Sequence, residues 1–229
     1  MVIINIETST NVCSASLTID GQPIVWYVDA ETHNHAKQLP LFIDKLLDEL
    51  RRRQLCLDAV ALSKGPGSYT GLRIGTASAK GLCYGMNVPL LAIDTLQLMA
   101  QEVLPATQAD VLCPMIDARR MEVYTSLFSR DLSPLSSVEA KVIDSTSFSS
   151  VIEGHSVCFF GDGAEKCKKV LSHPNVSFVD GIFPNAKNMG ALAEAAYSSG
   201  SKEDIAYFSP FYLKEYQAVC SKNKVLSNK

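Results

Sequence analysis

The stretch of residues 63–85 constrains the fold most, because it joins an apolar strand to a helix through a glycine turn. The strand ends with the apolar residues 59–62, and residues 65–67, Gly-Pro-Gly, form the turn. Glycine permits positive φ or a close approach of the backbone, and Ser68 and Thr70 supply oxygens that can cap a helix. A strand, a glycine turn and a helix N-terminus in this order indicate an α/β fold and can hold an anion on backbone N–H groups.

Small residues recur every four positions along the helix predicted from about residue 70, at Gly71, Gly75 and Ala79. Each interior glycine costs a helix about 1 kcal/mol relative to alanine, so the repeat indicates that another element approaches closely. That element is the protein's own sheet, a second helix or another chain, and the spacing does not decide among them. The nucleotide-binding pattern G-x-x-x-x-G-K-[ST] is absent from this turn.

The composition limits the class of protein. The chain has 229 residues, of which 47% are hydrophobic, enough for one large domain or two small ones. The net charge of −3 excludes a general attraction to nucleic acid or anionic lipid. The first residues predict no signal peptide, and no apolar run is long enough to span a bilayer. Seven scattered cysteines without a C-x-x-C pair indicate reduced, mostly buried thiols of a cytosolic protein: Cys13, Cys56, Cys83, Cys113, Cys158, Cys167 and Cys220.

The chain repeats one order of elements. A strand over residues 2–6 ends at Glu7, a strand over residues 111–116 ends at Asp117, and each is followed by a polar turn and another strand. Residues 161–163, Gly-Asp-Gly, repeat the glycine turn after a strand and are expected to open a helix. We predict an internal duplication of an α/β unit, with chance similarity of two α/β halves as the alternative. The predicted units are residues 1–104, an N-terminal subdomain, and 105–229, a C-terminal subdomain with a basic tail.

Three further helices are predicted from apolar periodicity and capping residues. The first covers residues 35–53, and its start is expected nearer Leu39 because Pro40 suits a first turn. The second runs from the cap Asp94 to residue 101, and the third covers residues 185–197.

Five segments occur together in the order typical of one family: IETST from residue 6, GPGSYTGLRIG from residue 65, IDARRMEVY from residue 116, GDGA from residue 161 and PFYLK from residue 210. With these segments, which extend over nearly the whole chain, the sequence resembles the bacterial TsaB (YeaZ) family. That family belongs to the machinery that makes threonylcarbamoyladenosine on tRNA. The resemblance implies an α/β fold of two ASKHA (actin/hexokinase-like, RNase H-like) subdomains related by internal duplication.

The resemblance also implies a role. The paralogue TsaD, which transfers the threonylcarbamoyl group, holds a metal with two histidines at i and i+4 of a helix and an aspartate. The matching positions here are Thr95 and Met99, which are not ligands of that kind. The resemblance therefore implies a non-catalytic, cytoplasmic subunit without metal or cofactor that binds TsaD, forms a homodimer when alone and meets tRNA only through the complex. TsaE is implied to dock on the pair as an ATPase, with ATP or ADP and Mg at the complex interface as an alternative.

A partner surface is predicted on two adjacent helices. The helix around residues 39–50 has an apolar face wider than one contact with a sheet requires, and the small-residue helix lies next along the chain. The family resemblance points to the same surface, and the alternative is that all these residues belong to the internal core. The predicted interface residues are Leu39, Phe42, Ile43, Leu46, Leu47, Leu50, Gly71, Leu72, Gly75, Ala79 and Leu82.

A degenerate nucleotide cleft is predicted between the two units. Glu7 and Asp117 end strands where ASKHA kinases place carboxylates around ATP and magnesium, and two carboxylates facing one cleft can hold Mg²⁺ through water. Arg119 and Arg120 are expected to pair with Asp117 or Glu122 and to fill that cleft with salt bridges instead. The predicted cleft residues are Glu7, Thr8, Gly65, Gly67, Ser68, Asp117, Gly161 and Gly163.

A different class of function stays open, namely a free-standing ASKHA-type ATP-dependent small-molecule kinase or an M22-like metallopeptidase. It predicts stoichiometric metal, or ATP turnover that depends on Glu7 and Asp117. The sequence offers little else for catalysis, because the one close histidine pair, His33 and His35, has a spacing that cannot share a helical face. The nucleophile pattern G-x-S-x-G is not met at Ser68.

Overall fold

The N-terminal half of the chain forms a five-stranded sheet, called the first sheet, in a computed structural model that describes residues 1–31 and 34–214. Its strands are β1 (Val2–Glu7), β2 (Cys13–Ile19), β3 (Gln22–Asp29), β4 (Ala59–Gly65) and β5 (Leu90–Asp94). They lie in the order β3-β2-β1-β4-β5, with antiparallel pairing of β1, β2 and β3 and parallel pairing of β1, β4 and β5. Every residue of β1 is buried, because this strand is central and both faces of the sheet are covered.

Two long helices cover one face of the first sheet, and a third lies between the sheets. They are α1 (His35–Arg53), α2 (Tyr69–Met86) and α3 (Thr95–Val103). The apolar stripe of α1 and the small-residue stripe of α2 pack together on β1, β2 and β4. Asp94 caps α3 as predicted, since its Oδ1 accepts the N–H groups of Leu96 and Gln97 at 2.9 and 3.0 Å. No helix of the described ranges combines the length and the apolarity that crossing a bilayer requires.

The helical pattern predicted over residues 35–53 is confirmed by α1, and only the start expected nearer Leu39 is wrong. The helix begins at His35, and Pro40 lies inside it. The first turn forms because the carbonyl oxygen of Asn34 accepts the N–H groups of Lys37 and Gln38 at 3.0 and 2.9 Å. The helix therefore tolerates proline in its second turn, where burial of the apolar face offsets the missing donor.

The C-terminal half contains a second sheet with the same topology. Its strands are β6 (Val111–Asp117), β7 (Glu122–Thr125), β8 (Phe128–Ser129), β9 (Glu139–Val142), β10 (Val157–Phe160) and β11 (Val176–Val179). The order is β9-β7-β6-β10-β11, antiparallel on the first side of β6 and parallel on the other, with β8 paired to β6. The two sheets thus repeat one plan, as the predicted duplication requires, and Glu7 and Asp117 end corresponding strands.

The second half departs from the sequence prediction in its smaller elements. The strand expected over residues 122–128 breaks after Thr125, whose hydroxyl donates to the carbonyl of Pro114 at 2.8 Å. The Gly-Asp-Gly turn leads into a single 3₁₀ turn, Glu165–Cys167, rather than a helix. The helix predicted over residues 185–197 is divided into a 3₁₀ turn, Ala186–Asn188, and α5 (Gly190–Ser198). Strand β9 and the short helix α4 (Ser149–Ile152) were not predicted from the sequence.

The end of the described chain returns to the first sheet. Met189 and Ala193, before and within α5, pack against residues of β1, β4 and β5. Farther on, the N–H of Glu203 donates to the carbonyl of Leu90 at 2.9 Å, and the N–H of Phe211 to that of Lys64 at 2.7 Å. A division of the chain at residue 104 therefore separates the first sheet from part of its own core, although the boundary itself stays a prediction. The basic tail lies mostly outside the described residues.

Candidate functional site

A cavity of about 870 Å³ lies where elements of the two sheets meet, and we call it the cleft. One wall is the turn after β1 together with the start of α2, and the other is the end of β6 and the turn that follows it. The residues that line the cleft are Ser9, Thr10, Asn11, Gly67, Ser68, Tyr69, Thr70, Ile116, Asp117, Ala118, Arg119, Tyr124, Asp162, Tyr212, Leu213 and Lys214.

Buried hydrogen bonds fix the turn after β1. Glu7 Oε1 accepts both the N–H and the hydroxyl of Ser9, the latter at 2.6 Å. The carbonyl of Ser9 in turn accepts the N–H of Ser68 at 2.6 Å, and His35 Nε2 lies 2.9 Å from the carbonyl oxygen of Thr10. Complete burial raises the pKa of the Glu7 carboxyl, although the nearby Ser63 hydroxyl and the hydrogen bonds from Ser9 oppose the shift. The turn is thus held from below by a carboxyl group that does not line the cleft.

The start of α2 has the predicted geometry. Ser68 is the N-cap residue, and its Oγ accepts the N–H of Gly71 at 3.3 Å. Gly65 has φ +111°, which an L side chain rarely adopts. Gly67 permits a close approach of the backbone, because a Cβ there would lie 2.2 Å from the carbonyl oxygen of Ser9. The two glycines therefore bring the start of α2 against the turn after β1.

The opposite wall carries a paired carboxylate. Asp117 forms an ion pair with Lys166, and its N–H donates to Asp162 Oδ1 at 2.9 Å. Burial raises the pKa of Asp162, and the nearby Asp117 adds to the shift. Gly161, at φ +101°, and Gly163 pack against β6; Gly161 is partly buried and Gly163 is buried.

The expected arginine salt bridges do not form. Lysines form ion pairs with these carboxylates instead, Lys166 with Asp117 and Lys214 with Glu122. The contact between Arg119 and Asp117 is a hydrogen bond from the backbone N–H to Oδ1, at 3.0 Å. Both arginines are exposed, and both have positive φ at the tip of the hairpin.

The predicted cleft residues separate into two groups. Gly67, Ser68 and Asp117 line the cleft, and the other five predicted residues do not: the fully buried Glu7 and Thr8, and Gly65, Gly161 and Gly163. Glu7 and Asp117 therefore do not face one cavity, which corrects the expectation of two carboxylates around a shared ion. Within residues 1–31 and 34–214, no group of three His, Cys, Asp or Glu side chains is placed to hold a metal. His33, the first member of the histidine pair, lies outside the described residues.

Thr95 and Met99 lie between the glycine turns of the two sheets. Thr95 is fully buried, and its Oγ1 accepts the N–H of Gly65 at 3.2 Å. The methyl carbon of Met99 lies 2.6 Å from where a Cβ on Gly161 would be, so it packs directly on that glycine. Each side chain thus has a structural contact, and the pair fills the junction between the sheets.

The predicted partner surface requires a correction, because most of its residues lie in the protein's own core. Gly71 and Gly75 approach Thr8, where a Cβ would lie 2.0 and 2.3 Å from oxygen atoms of that residue. Leu47 and Leu82 are partly exposed. The buried members are Leu39, Phe42, Ile43, Leu46, Leu50, Gly71, Leu72, Gly75 and Ala79.

A different set of residues forms the outer side of the same two helices, which we call the outer helix face. It contains small residues of α2 and large apolar side chains of both helices. A Cβ added at Gly81 or Gly85 would have no atom within 4 Å. Tyr84 is 86% exposed, Leu41 51% and Met86 41%. The signal was present in the sequence as a second four-residue repeat, two positions out of phase with the buried one. The outer helix face consists of Leu41, Leu47, Ala77, Gly81, Leu82, Tyr84, Gly85 and Met86.

Comparison with known proteins gives concordant matches. The family model described as TsaD, tRNA N6-adenosine threonylcarbamoyltransferase, matches residues 29–221, which is more than half of the chain. The tRNA threonylcarbamoyladenosine biosynthesis protein TsaB of Haemophilus influenzae is 34% identical over 131 residues, 57% of this chain and 55% of the relative. Over this segment the chain spans about half the length of that relative.

Two further matches extend over almost the full length. A TsaB protein of Buchnera aphidicola subsp. Baizongia pistaciae is 27% identical over 220 residues, 93% of this chain and 98% of the relative. The solved structure of YeaZ from Pseudomonas aeruginosa has the same fold, with a TM-score of 0.78, 24% identity and coverage of 93% of this chain and 99% of the other. The chain therefore belongs to the family of the tRNA N6-adenosine threonylcarbamoyltransferases and, within it, to the TsaB (YeaZ) group.

Proposed function

We propose that this chain is a non-catalytic subunit that supports the transfer of a threonylcarbamoyl group to tRNA by binding the catalytic paralogue TsaD. The observation that carries the proposal is the packing of Thr95 and Met99, which occupy the positions matched to the metal ligands of the paralogue. A chain of this family that fills those positions with a hydroxyl and a thioether needs a partner for the chemistry. We place this activity in the cytoplasm, where tRNA is modified.

The outer helix face is the proposed surface for that partner. The paralogue belongs to the same family, so its corresponding helices can pack on α1 and α2 as a bundle of four. Gly81 and Gly85 have no atom within 4 Å of an added Cβ, which leaves room for a helix to approach closely. Tyr84 and Met86 supply exposed apolar area on α2, and Leu41 supplies it on α1. In the absence of the paralogue, a second copy of this chain is proposed to occupy the same face as a homodimer.

The experiment mixes the full chain with TsaD from the same organism and measures the heterodimer by size exclusion with light scattering. Gly81→Arg places a long charged side chain on the outer helix face, and we expect it to weaken the heterodimer by at least about tenfold. Gly154→Arg is the matched control, since Gly154 is equally open but lies outside this face. A wild-type mixture that stays as separate chains, or a Gly81→Arg variant that pairs normally, contradicts the proposal.

The cleft is proposed to be a degenerate nucleotide site. Asp117 is paired with Lys166, and Glu7 is buried away from the cavity, so the predicted pair of Glu7 and Asp117 does not face a shared Mg²⁺. TsaE is proposed to dock on the complex and to supply ATP hydrolysis there. ATP turnover by the isolated chain that is lost in Asp117→Ala would support the free-standing kinase instead, and metal analysis of the purified chain tests the metallopeptidase.

A further inference from the structure

The hairpin between β6 and β7 has an unusual tip. Arg119 has φ +73° and Arg120 has φ +51°, so two consecutive residues with side chains occupy the left-handed region. Glycine and asparagine are the residues that favour this region, because a Cβ crowds the neighbouring carbonyl oxygen there. The hairpin is closed by hydrogen bonds of 3.1 Å from Ala118 to Glu122 and from Glu122 to Arg119. The tip therefore retains two arginines against the preference of its own backbone, which points to a use for the side chains.

The charges around the tip leave both guanidinium groups available. The carboxylate of Asp117 is paired with Lys166, and that of Glu122 with Lys214. Asp162 accepts the backbone N–H of Asp117. In the described part of the chain, neither Arg119 nor Arg120 forms a side-chain ion pair, and both are exposed. The lysines thus neutralise the acidic groups of the hairpin, and the arginines are the uncompensated charges at its end.

The chemistry of this tip matches phosphate. A guanidinium group offers a planar fork of N–H donors that binds two phosphate oxygens, and it keeps its charge at all physiological pH values. Two adjacent forks suit a chain of phosphates better than a single one. Tyr124 and Tyr212 line the same cleft as Arg119, and aromatic rings at such a position can stack on an unpaired base.

We infer that the tip of the β6–β7 hairpin, Arg119 and Arg120, is a contact for the phosphate backbone of RNA. The inference rests on the proposed function, which makes tRNA the RNA concerned. A free nucleotide has the same phosphate chemistry, but the observations favour RNA because both side chains lie at the exposed tip, and only Arg119 reaches the cleft. Since the net charge of the chain is −3, such a contact is local rather than a general attraction.

The test measures binding of fluorescently labelled tRNA to the full chain by anisotropy, from 25 to 200 mM salt. The decisive variant combines Arg119→Asn and Arg120→Gly, which removes both charges and places favoured residues in the left-handed backbone. We expect about tenfold weaker binding at the lowest salt and a salt slope reduced by about two, one for each lost phosphate contact. We also expect a Tm at or above that of the wild type, so the loss cannot be ascribed to unfolding.

Controls separate charge, position and ligand. Lys168→Gln with Lys169→Gln removes the same two charges elsewhere in the second half and should change affinity less than twofold. Arg119→Lys with Arg120→Lys keeps the charge and should retain part of the binding. Equal affinity of the Arg119→Asn, Arg120→Gly variant and the wild type, or no wild-type binding at 25 mM salt, overturns the inference. A variant that loses only binding of ATP, measured in parallel, also overturns it in favour of a free nucleotide.

A measurement of heterodimer formation with TsaD distinguishes failure of the hairpin inference from failure of the proposed function. A heterodimer that forms normally while the arginine variant binds tRNA like the wild type refutes the hairpin contact alone. Arginine-dependent tRNA binding without any heterodimer refutes the proposed subunit role and leaves the RNA contact standing.

Discussion

At the scale of single residues, Glu7 shows how equivalent positions acquire different chemistry. It ends β1 as Asp117 ends β6, and the sequence repeat predicted that correspondence from the spacing alone. What the repeat did not predict is burial. Glu7 is fully buried and holds Ser9, whereas Asp117 reaches the cleft and pairs with Lys166. Burial depends on how the two sheets pack, which no local pattern in the sequence records.

The buried position of Glu7 predicts a pH dependence of stability. Because its pKa is raised in the folded chain above the ordinary 4.5, the folded state favours the neutral acid. Stability from this group is therefore complete below pH 4.5 and is lost as the pH rises through the folded pKa. Glu7→Gln keeps an oxygen that accepts from Ser9 but does not titrate. The unfolding free energy of the variant, relative to that of the wild type, should therefore increase as the pH rises.

Urea unfolding of both proteins between pH 4 and pH 8 measures this difference. Glu153→Gln, at an exposed glutamate, is the control and should track the wild type. A Glu7→Gln variant whose disadvantage or advantage is the same at every pH would show that the carboxyl does not titrate with folding.

At the scale of elements, α2 carries two stripes of small residues on opposite sides. The inner stripe contains Gly71 and Gly75, which approach Thr8, and the outer one contains Gly81 and Gly85, which have open space. The sequence predicted that small residues on this helix permit close approach, and the structure shows that approach for the inner stripe. The sequence could not tell which stripe faces the core, because the orientation of the helix depends on the turn at Gly65 and Gly67 and on the sheet against which the helix packs.

The two stripes respond differently to an added methyl group. Gly71→Ala would put a Cβ 2.0 Å from the backbone oxygen of Thr8, and we expect a loss of about 1–3 kcal/mol in unfolding free energy. Gly81→Ala meets nothing within 4 Å and should add about 0.5–1 kcal/mol through helix propensity. Urea unfolding of the pair measures both signs. Equal effects would mean that the two glycines have the same surroundings.

At the scale of the whole molecule, the last part of the described chain completes the core formed by the first. Ala193 in α5 packs among residues of the first sheet, which lie far earlier in sequence. The duplicated order of strands was predictable from the chain, but this return was not. The apolar spacing of α5 predicts a helix but not the sheet on which it packs, and part of the return consists of backbone hydrogen bonds, as at Glu203 and Phe211.

Paired substitutions in α5 test this arrangement. Ala193→Asp buries a charge without a partner and should lower the unfolding free energy by about 3 kcal/mol. Ala195→Asp places the same group at an exposed position of the same helix and should change it little. The single tryptophan, Trp26 in β3, reports the unfolding of the first sheet by fluorescence. An unchanged unfolding transition in the Ala193→Asp variant would show that α5 does not contribute to the core of the first sheet.

The return of α5 to the first sheet has a consequence for biosynthesis. A ribosome delivers β1 to β5 long before it delivers Met189 and Ala193, so a nascent chain carries one uncovered apolar face while the second half is still being translated. During that interval the emerging polypeptide is a natural client for chaperones that shield exposed hydrophobic surface.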